Sequence, residues 1–87
     1  MPKLRIFLVD DHPIVRKGLK ALIVEQSDME VVGEAGDGKT ALSQVKELQP
    51  NVMILDFSLP DMNGFQVVER VKQICPGTNV LVLTIHE

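Results

Sequence analysis

Asn51-Val-Met-Ile-Leu-Asp56-Phe-Ser-Leu-Pro60-Asp-Met-Asn-Gly64 runs from an apolar segment into a single carboxylate and then into a loop punctuated by Pro60 and Gly64. Val52–Leu55 has strand character, and it stops abruptly at Asp56. In an open α/β sheet, a side chain at the carboxyl end of a strand projects into the crevice where ligands bind. That makes Asp56 the candidate reactive residue. Aspartates after strands also commonly start turns, so one such residue says little. Here a second acidic strand end, Asp10-Asp11, follows Leu4-Arg-Ile-Phe-Leu-Val9, and a hydroxyl stands at a third, Thr84 after Val80-Leu-Val-Leu83.

The flanking chain supplies the elements that would bring these ends together. Leu4–Val9 is nearly continuous in apolar residues, as expected of a strand buried on both faces of a parallel sheet. Pro13 suits the first turn of a helix, where its missing N–H would be unpaired anyway. Ile14–Glu25 reads as that helix, with Val15, Leu19, Leu22 and Ile23 inward and Arg16, Lys17 and Lys20 outward. Met29–Val32 reads as a strand, Gly36-Asp37-Gly38 as a turn, and Lys39–Leu48 as a helix capped by Asp37 that buries Ala41, Leu42, Val45 and Leu48. Gln49 precedes proline and should leave the helical region. Phe65–Ile74 is the third helix, with Val67, Val68, Val71 and Ile74 inward, and Val80–Thr84 the fourth strand. Strands and helices alternate without linker or repeat, which argues for parallel strands joined by right-handed crossovers. The expected fold is α/β, a flavodoxin-like doubly wound sheet in the order 2-1-3-4. That order sets the first and third strands side by side.

Composition bounds the remaining possibilities. Eighty-seven residues make one small domain, 45% hydrophobic and 24% charged, with three Phe and no Trp or Tyr. Such a balance is that of a globular protein. The single cysteine, Cys75, excludes an internal disulfide, suits a reducing cytoplasm, and reads as a buried thiol on an apolar helix face. No apolar run approaches the ~18 residues of a spanning helix, and no signal-peptide pattern opens the chain; no membrane association is expected. A net charge of −3 without a Lys/Arg stripe argues against direct nucleic-acid contact from these residues.

Three carboxylates at one sheet edge would repel one another, and a bound cation removes the conflict. Oxygen-only ligands from carboxylates, a backbone carbonyl and waters describe a Mg2+ site. Such an ion can also neutralise a phosphoryl group, and an aspartate can accept one. Thr84 could hydrogen-bond a phosphoryl oxygen. The plainer alternative is a solvated acidic rim beside a β-branched strand residue.

Asp10-Asp11, the segment Asp56 to Gly64, and Leu83-Thr84 together resemble the receiver domain of two-component response regulators, over all 87 residues. Val9-Asp-Asp-His-Pro-Ile-Val-Arg-Lys-Gly-Leu19 and Gly33-Glu-Ala-Gly-Asp-Gly38 are similar to the LuxR/NarL/FixJ-type subfamily, whose output is a helix-turn-helix DNA-binding domain. The resemblance implies that Asp56 is the phosphoacceptor and that Asp11, Asp56 and the Ser58 backbone carbonyl hold Mg2+, with Asp10 acting mainly through metal-bound water. It implies Thr84 as the switch hydroxyl, with Ile85 limiting access to the acyl phosphate. The donor would be a phosphohistidine on a sensor histidine kinase docking around Ile14, Val15 and Gly18. Such a domain is not an enzyme beyond promoting its own phosphorylation and dephosphorylation, and it would act in the cytoplasm to control transcription.

The family pattern continues with a fourth helix, a fifth strand ending in lysine, and a fifth helix, which are missing from these 87 residues. The chain is therefore expected to be a partial receiver domain, β1 to β4, of a longer regulator that reaches DNA through a C-terminal domain. Val80–Ile85 would then form an apolar edge able to pair or exchange with a second copy, giving a homodimer. Two other readings compete. Gly33-Glu-Ala-Gly-Asp-Gly38-Lys39-Thr40 fits the phosphate-binding loop G-x-x-x-x-G-K-[ST], which would make a nucleotide-binding fragment but leaves Asp10-Asp11, Pro60 and Thr84 unexplained. A receiver-like interaction module without phosphotransfer is the other. Asp10-Asp11-His12 can be read as a metal cluster with imidazole, although Pro13 marks His12 as a helix-start residue. His86 reads as solvated, Met53 as core, and Asp61 and Asn63 as turn-forming loop groups.

Overall fold

A computed structural model of the chain describes residues 2–83. The elements alternate as β1 (Leu4–Val9), α1 (Pro13–Val24), β2 (Met29–Ala35), α2 (Gly38–Leu48), β3 (Val52–Asp56), α3 (Gly64–Ile74) and β4 (Asn79–Leu83). All four strands are parallel, in the order β2-β1-β3-β4. The flavodoxin-like order read from the sequence is the order found, and β1 lies beside β3.

The apolar runs of the two central strands explain their position. Phe7, Leu8, Val9, Met53 and Leu55 have no exposed surface, and each such burial contributes about 1.5–3 kcal/mol. Alternation along the strands divides the core in two. Phe7, Val9, Met53 and Leu55 pack with Ala41 and Val45 of α2 and with Val67 and Val71 of α3. Ile6 and Leu8 pack on the opposite face with Ile23 of α1, flanked by Leu19, Met29, Val31, Val52 and Ile54.

The β1–β2 ladder is interrupted once. Ile6 pairs with Val31 but Phe7 pairs with Gly33, so Val32 is an extra residue, a bulge in β2. Beyond it the ladder continues to Val9 and Ala35; β2 is therefore three residues longer than the sequence suggested.

Helix ends follow the sequence to within one residue. Asp37 caps α2, accepting from the Thr40 N–H at 2.6 Å, and α3 begins with a full capping box between Asn63 and Gln66. Asn63 is thus a helix cap as well as a loop residue. Gln49 leaves the helix in the left-handed region (φ 46°), where its N–H still reaches the Val45 carbonyl and its carbonyl accepts from Arg5. The expected inward faces are too broad at their ends: Leu22 is 63% and Ile74 40% exposed. Cys75 is buried as expected, at the C-cap of α3, with its Sγ 3.1 Å from the Thr78 hydroxyl.

Candidate phosphoacceptor and metal site

β1 and β3 end side by side, and their parallel register carries Asp10 and Asp56 to one edge of the sheet. Asp10 follows β1 and is buried. Its N–H donates to the Ala35 carbonyl at 3.0 Å, which extends the β1–β2 pairing by one residue and holds the following turn in place. Its Oδ1 accepts from the His12 backbone N–H at 2.7 Å. Pro13 then begins α1 without a side-chain cap from His12, whose carbonyl receives the Arg16 N–H.

Asp10, Asp11, His12 and Asp56 place one ligand-type atom each within 4.8 Å of one another. The His12 ring lies among the three carboxylates: Nδ1 is 2.7 Å from Asp10 Oδ1, 3.0 Å from Asp11 Oδ1 and 3.4 Å from Asp56 Oδ2. The hydrogen bond to Asp10, and then the negative charge of Asp11, raise the His12 pKa above its ordinary value. His12 is therefore part of the acidic cluster as well as the start of a helix, which its proximity in sequence to Asp10-Asp11 had signalled.

Asp56 is held asymmetrically. Oδ1 accepts the Ser58 N–H at 3.2 Å, while Oδ2 is buried and has no hydrogen-bond partner among the described residues. An unpartnered buried carboxylate oxygen is costly, and here it faces two further carboxylates. Ser58 is bridged to Asn63 across the loop. Oxygen donors gathered around one orphaned oxygen are the donor set of a hard divalent cation, so the residues present fit Mg2+. Thr84, Ile85 and His86 lie outside the described residues.

Around this edge, three features went unread in the sequence. Arg16, expected to face solvent, donates to the Asp10 carbonyl and pairs with Glu34 at 3.1 Å; Lys20 joins Glu34 at 2.6 Å. Hydrogen bonding from Lys20, with further help from Arg16, lowers the Glu34 pKa. Asp61 reaches out of the loop to α2, accepting from the Gly38 N–H at 2.7 Å and the Lys39 N–H at 2.9 Å. Those two donors lower its pKa. The phosphate-binding loop reading is corrected by the same contacts. Gly33, Glu34 and Ala35 pair with Phe7, Leu8 and Val9 inside the sheet, and the first three N–H groups of α2 are held by Asp61 and Asp37. No cradle is left for a nucleotide phosphate there.

On the outer surface, Ile14 is 86% exposed, Val15 is half-buried and Gly18 is exposed, with open space around it. No helix among the described residues is long and apolar enough to cross a membrane.

Comparison with known proteins agrees with this geometry. The family model described as the response regulator receiver domain matches residues 6–87. The transcriptional regulatory protein YhcZ of Bacillus subtilis is 43% identical over 81 residues, covering 93% of this chain and 38% of the relative. Response regulator protein VraR of Staphylococcus aureus is 38% identical over the same length, with 39% of its chain covered. The chain thus spans well under half the length of these relatives. Among solved structures, the signal receiver domain of NarL from Mycobacterium tuberculosis superposes with a TM-score of 0.93 at 37% identity, over all of this chain and 70% of that one. A LuxR-family two-component response regulator from Aurantimonas sp. SI85-9A1 gives 0.90 at 35%, over 98% of this chain and 61% of that one.

Proposed function

The chain belongs to the response regulator receiver domains, and from that premise we propose that Asp56 accepts a phosphoryl group from the phosphohistidine of a sensor histidine kinase. Asp11, Asp56 and the Ser58 carbonyl would hold Mg2+, and Asp10 would act through water bound to it. The observation that carries the reading is Asp56 Oδ2, buried without a hydrogen-bond partner beside two other carboxylates, with only the His12 ring Nδ1 at 3.4 Å to answer its charge. The bound ion would offset the charge gathered on the phosphoryl oxygens and the carboxylates.

The residues of the chain perform the rest. Ser58 N–H on Oδ1 fixes the Asp56 carboxylate and leaves Oδ2 to form the new O–P bond. The N–P bond of the donor breaks as it forms, and the imidazole nitrogen keeps the electron pair and takes up a proton. Thr84 would hydrogen-bond the transferred group as the switch hydroxyl, with Ile85 limiting water access. Ile14, Val15 and Gly18 are the proposed kinase contact. The output is transcription control through a DNA-binding domain, in the cytoplasm, with residues 1–87 forming the β1 to β4 part of the receiver. Self-association through β4 belongs to the same proposal: it is the outer strand among those described, with Leu81, Val82 and Leu83 exposed, and sedimentation that shows a monomer at every concentration would remove it.

Intact mass after incubation with Mg2+ and a small acyl-phosphate donor tests the central claim. The wild type should gain one phosphoryl group only with Mg2+, and Asp56→Ala should gain none. No gain in the wild type would favour a receiver-like interaction module.

A further inference from the structure

We propose that Asp61 is a positioning residue of the phosphoacceptor site, tying the loop that carries Ser58 to the first turn of α2. The inference rests on the reading of Asp56 and Ser58 given above and adds a residue to it.

Residues 57–63 connect β3 to α3 without regular structure, and the Ser58 carbonyl proposed for the cation lies on this segment. Most of its hydrogen bonds hold it to itself or to α3. Gly64 N–H closes on the Phe57 carbonyl at 3.0 Å, Ser58 N–H turns back on Asp56, and Asn63 and Gln66 exchange the bonds of a capping box. Asp61 alone among its described side chains bonds elsewhere. Its two oxygens take one backbone N–H each from Gly38 and Lys39, residues 23 and 22 positions earlier.

Both ends of that contact are shaped for it. The first N–H groups of a helix have no partner within the helix, and the positive end of the helix dipole favours a carboxylate. Asp37 already supplies the local cap through Thr40 N–H, so α2 does not depend on Asp61 to begin. The neighbouring loop residue, Met62, lies against Gly38, where any Cβ would collide with its Cγ and Sδ. A carboxylate and a thioether from consecutive loop positions therefore dock on one helical turn, and the missing side chain of Gly38 leaves room for Met62 as it lies. The loop is consequently anchored at both sides: at α3 by its own cap and at α2 by Asp61. With the α2 anchor removed, Ser58, three residues away, is free to shift relative to Asp56, and a cation site is sensitive to such displacement of its supporting groups.

The test is calorimetric titration of Mg2+ into the wild type, Asp61→Ala and Asp61→Asn, with melting temperature and intact-mass phosphorylation measured in parallel. Asp61→Ala should raise the Mg2+ Kd about tenfold, at the low end of what outer partners of a metal contribute. Asp61→Asn keeps one acceptor oxygen and should fall between. Should Asp61→Ala not fold, the shift in Asp61→Asn decides the matter. A lower melting temperature with Kd unchanged in the folded variants would make Asp61 a helix cap only and overturn the proposal. A wild type that neither binds Mg2+ nor gains a phosphoryl group would instead overturn the reading of the site itself, and this inference with it.

Discussion

A single oxygen, Asp10 Oδ1, receives both the backbone N–H and the ring Nδ1 of His12, each at 2.7 Å. The residue that starts α1 is thereby folded back over the carboxylates it follows, and its ring nitrogen stands where a cation would balance three negative groups.

Replacing His12 with alanine should therefore destabilise the cation-free protein, because Asp10, Asp11 and Asp56 lose the group nearest to all three. Added Mg2+ should restore more stability to the variant than to the wild type. Melting curves with and without Mg2+ measure the difference; equal Mg2+ gains in both proteins would show that the ring and the ion do not answer the same charge.

Glu34 gives the acid limb of stability a defined contribution. Its folded pKa lies below the ordinary 4.5, first through Lys20 and then Arg16, so the unfolded chain takes up the proton first as pH falls. The stabilisation is complete above 4.5 and is lost as pH drops through the lower folded value. Glu34→Gln should cost under about 1 kcal/mol near neutrality, since the pair is partly exposed and screened, and the gap from wild type should close below pH 4.5. Urea midpoints across that range would read it, and a constant gap would contradict it.

Thr78 is buried and donates its hydroxyl to the Pro50 carbonyl at 2.7 Å, joining the turn before β4 to the turn before β3. Thr78→Val keeps the shape and removes the donor. A buried carbonyl left without its partner should cost about 1–3 kcal/mol. Chemical denaturation is the measurement, and a neutral variant would show that the turns are held by packing and by the Asn79 N–H to Asn51 carbonyl bond alone.

What the sequence conveyed and what it withheld divide along physical lines. Periodicity located the described strands and helices, and the acidic ends of the first and third strands pointed to the order that brings Asp10 beside Asp56. Those are local patterns summed along the chain. Asp61 looked like a turn residue because its turn propensity is sufficient by itself, and its bonds to Gly38 and Lys39 appear only once α2 and the loop after β3 are neighbours. Arg16 was read as solvent-facing from its helical position; its partner Glu34 lies 18 residues away, on a strand that the sequence ended at Val32. His12 was halfway legible, since its adjacency to two aspartates was visible but the direction of its ring was not.

The extra residue in β2 carries a consequence for changes in chain length. Val31 packs on the α1 side of the sheet, yet Ala35, four residues on, belongs to the opposite cluster with Phe7 and Val9. Simple alternation would put both on one side; Val32 shifts the reading frame between them. Glu34 reaches Arg16 and Lys20 on α1 only because of that shift. Deleting Val32 would straighten the ladder, with Ile6–Val31 followed directly by Phe7–Gly33, Leu8–Glu34 and Val9–Ala35, so Glu34 would keep its side toward α1 and Ala35 its place beside Phe7 and Val9. β2 can thus lose its extra residue and stay in phase, whereas a loss beyond it, of Glu34 for instance, takes away the partner of Arg16 and Lys20.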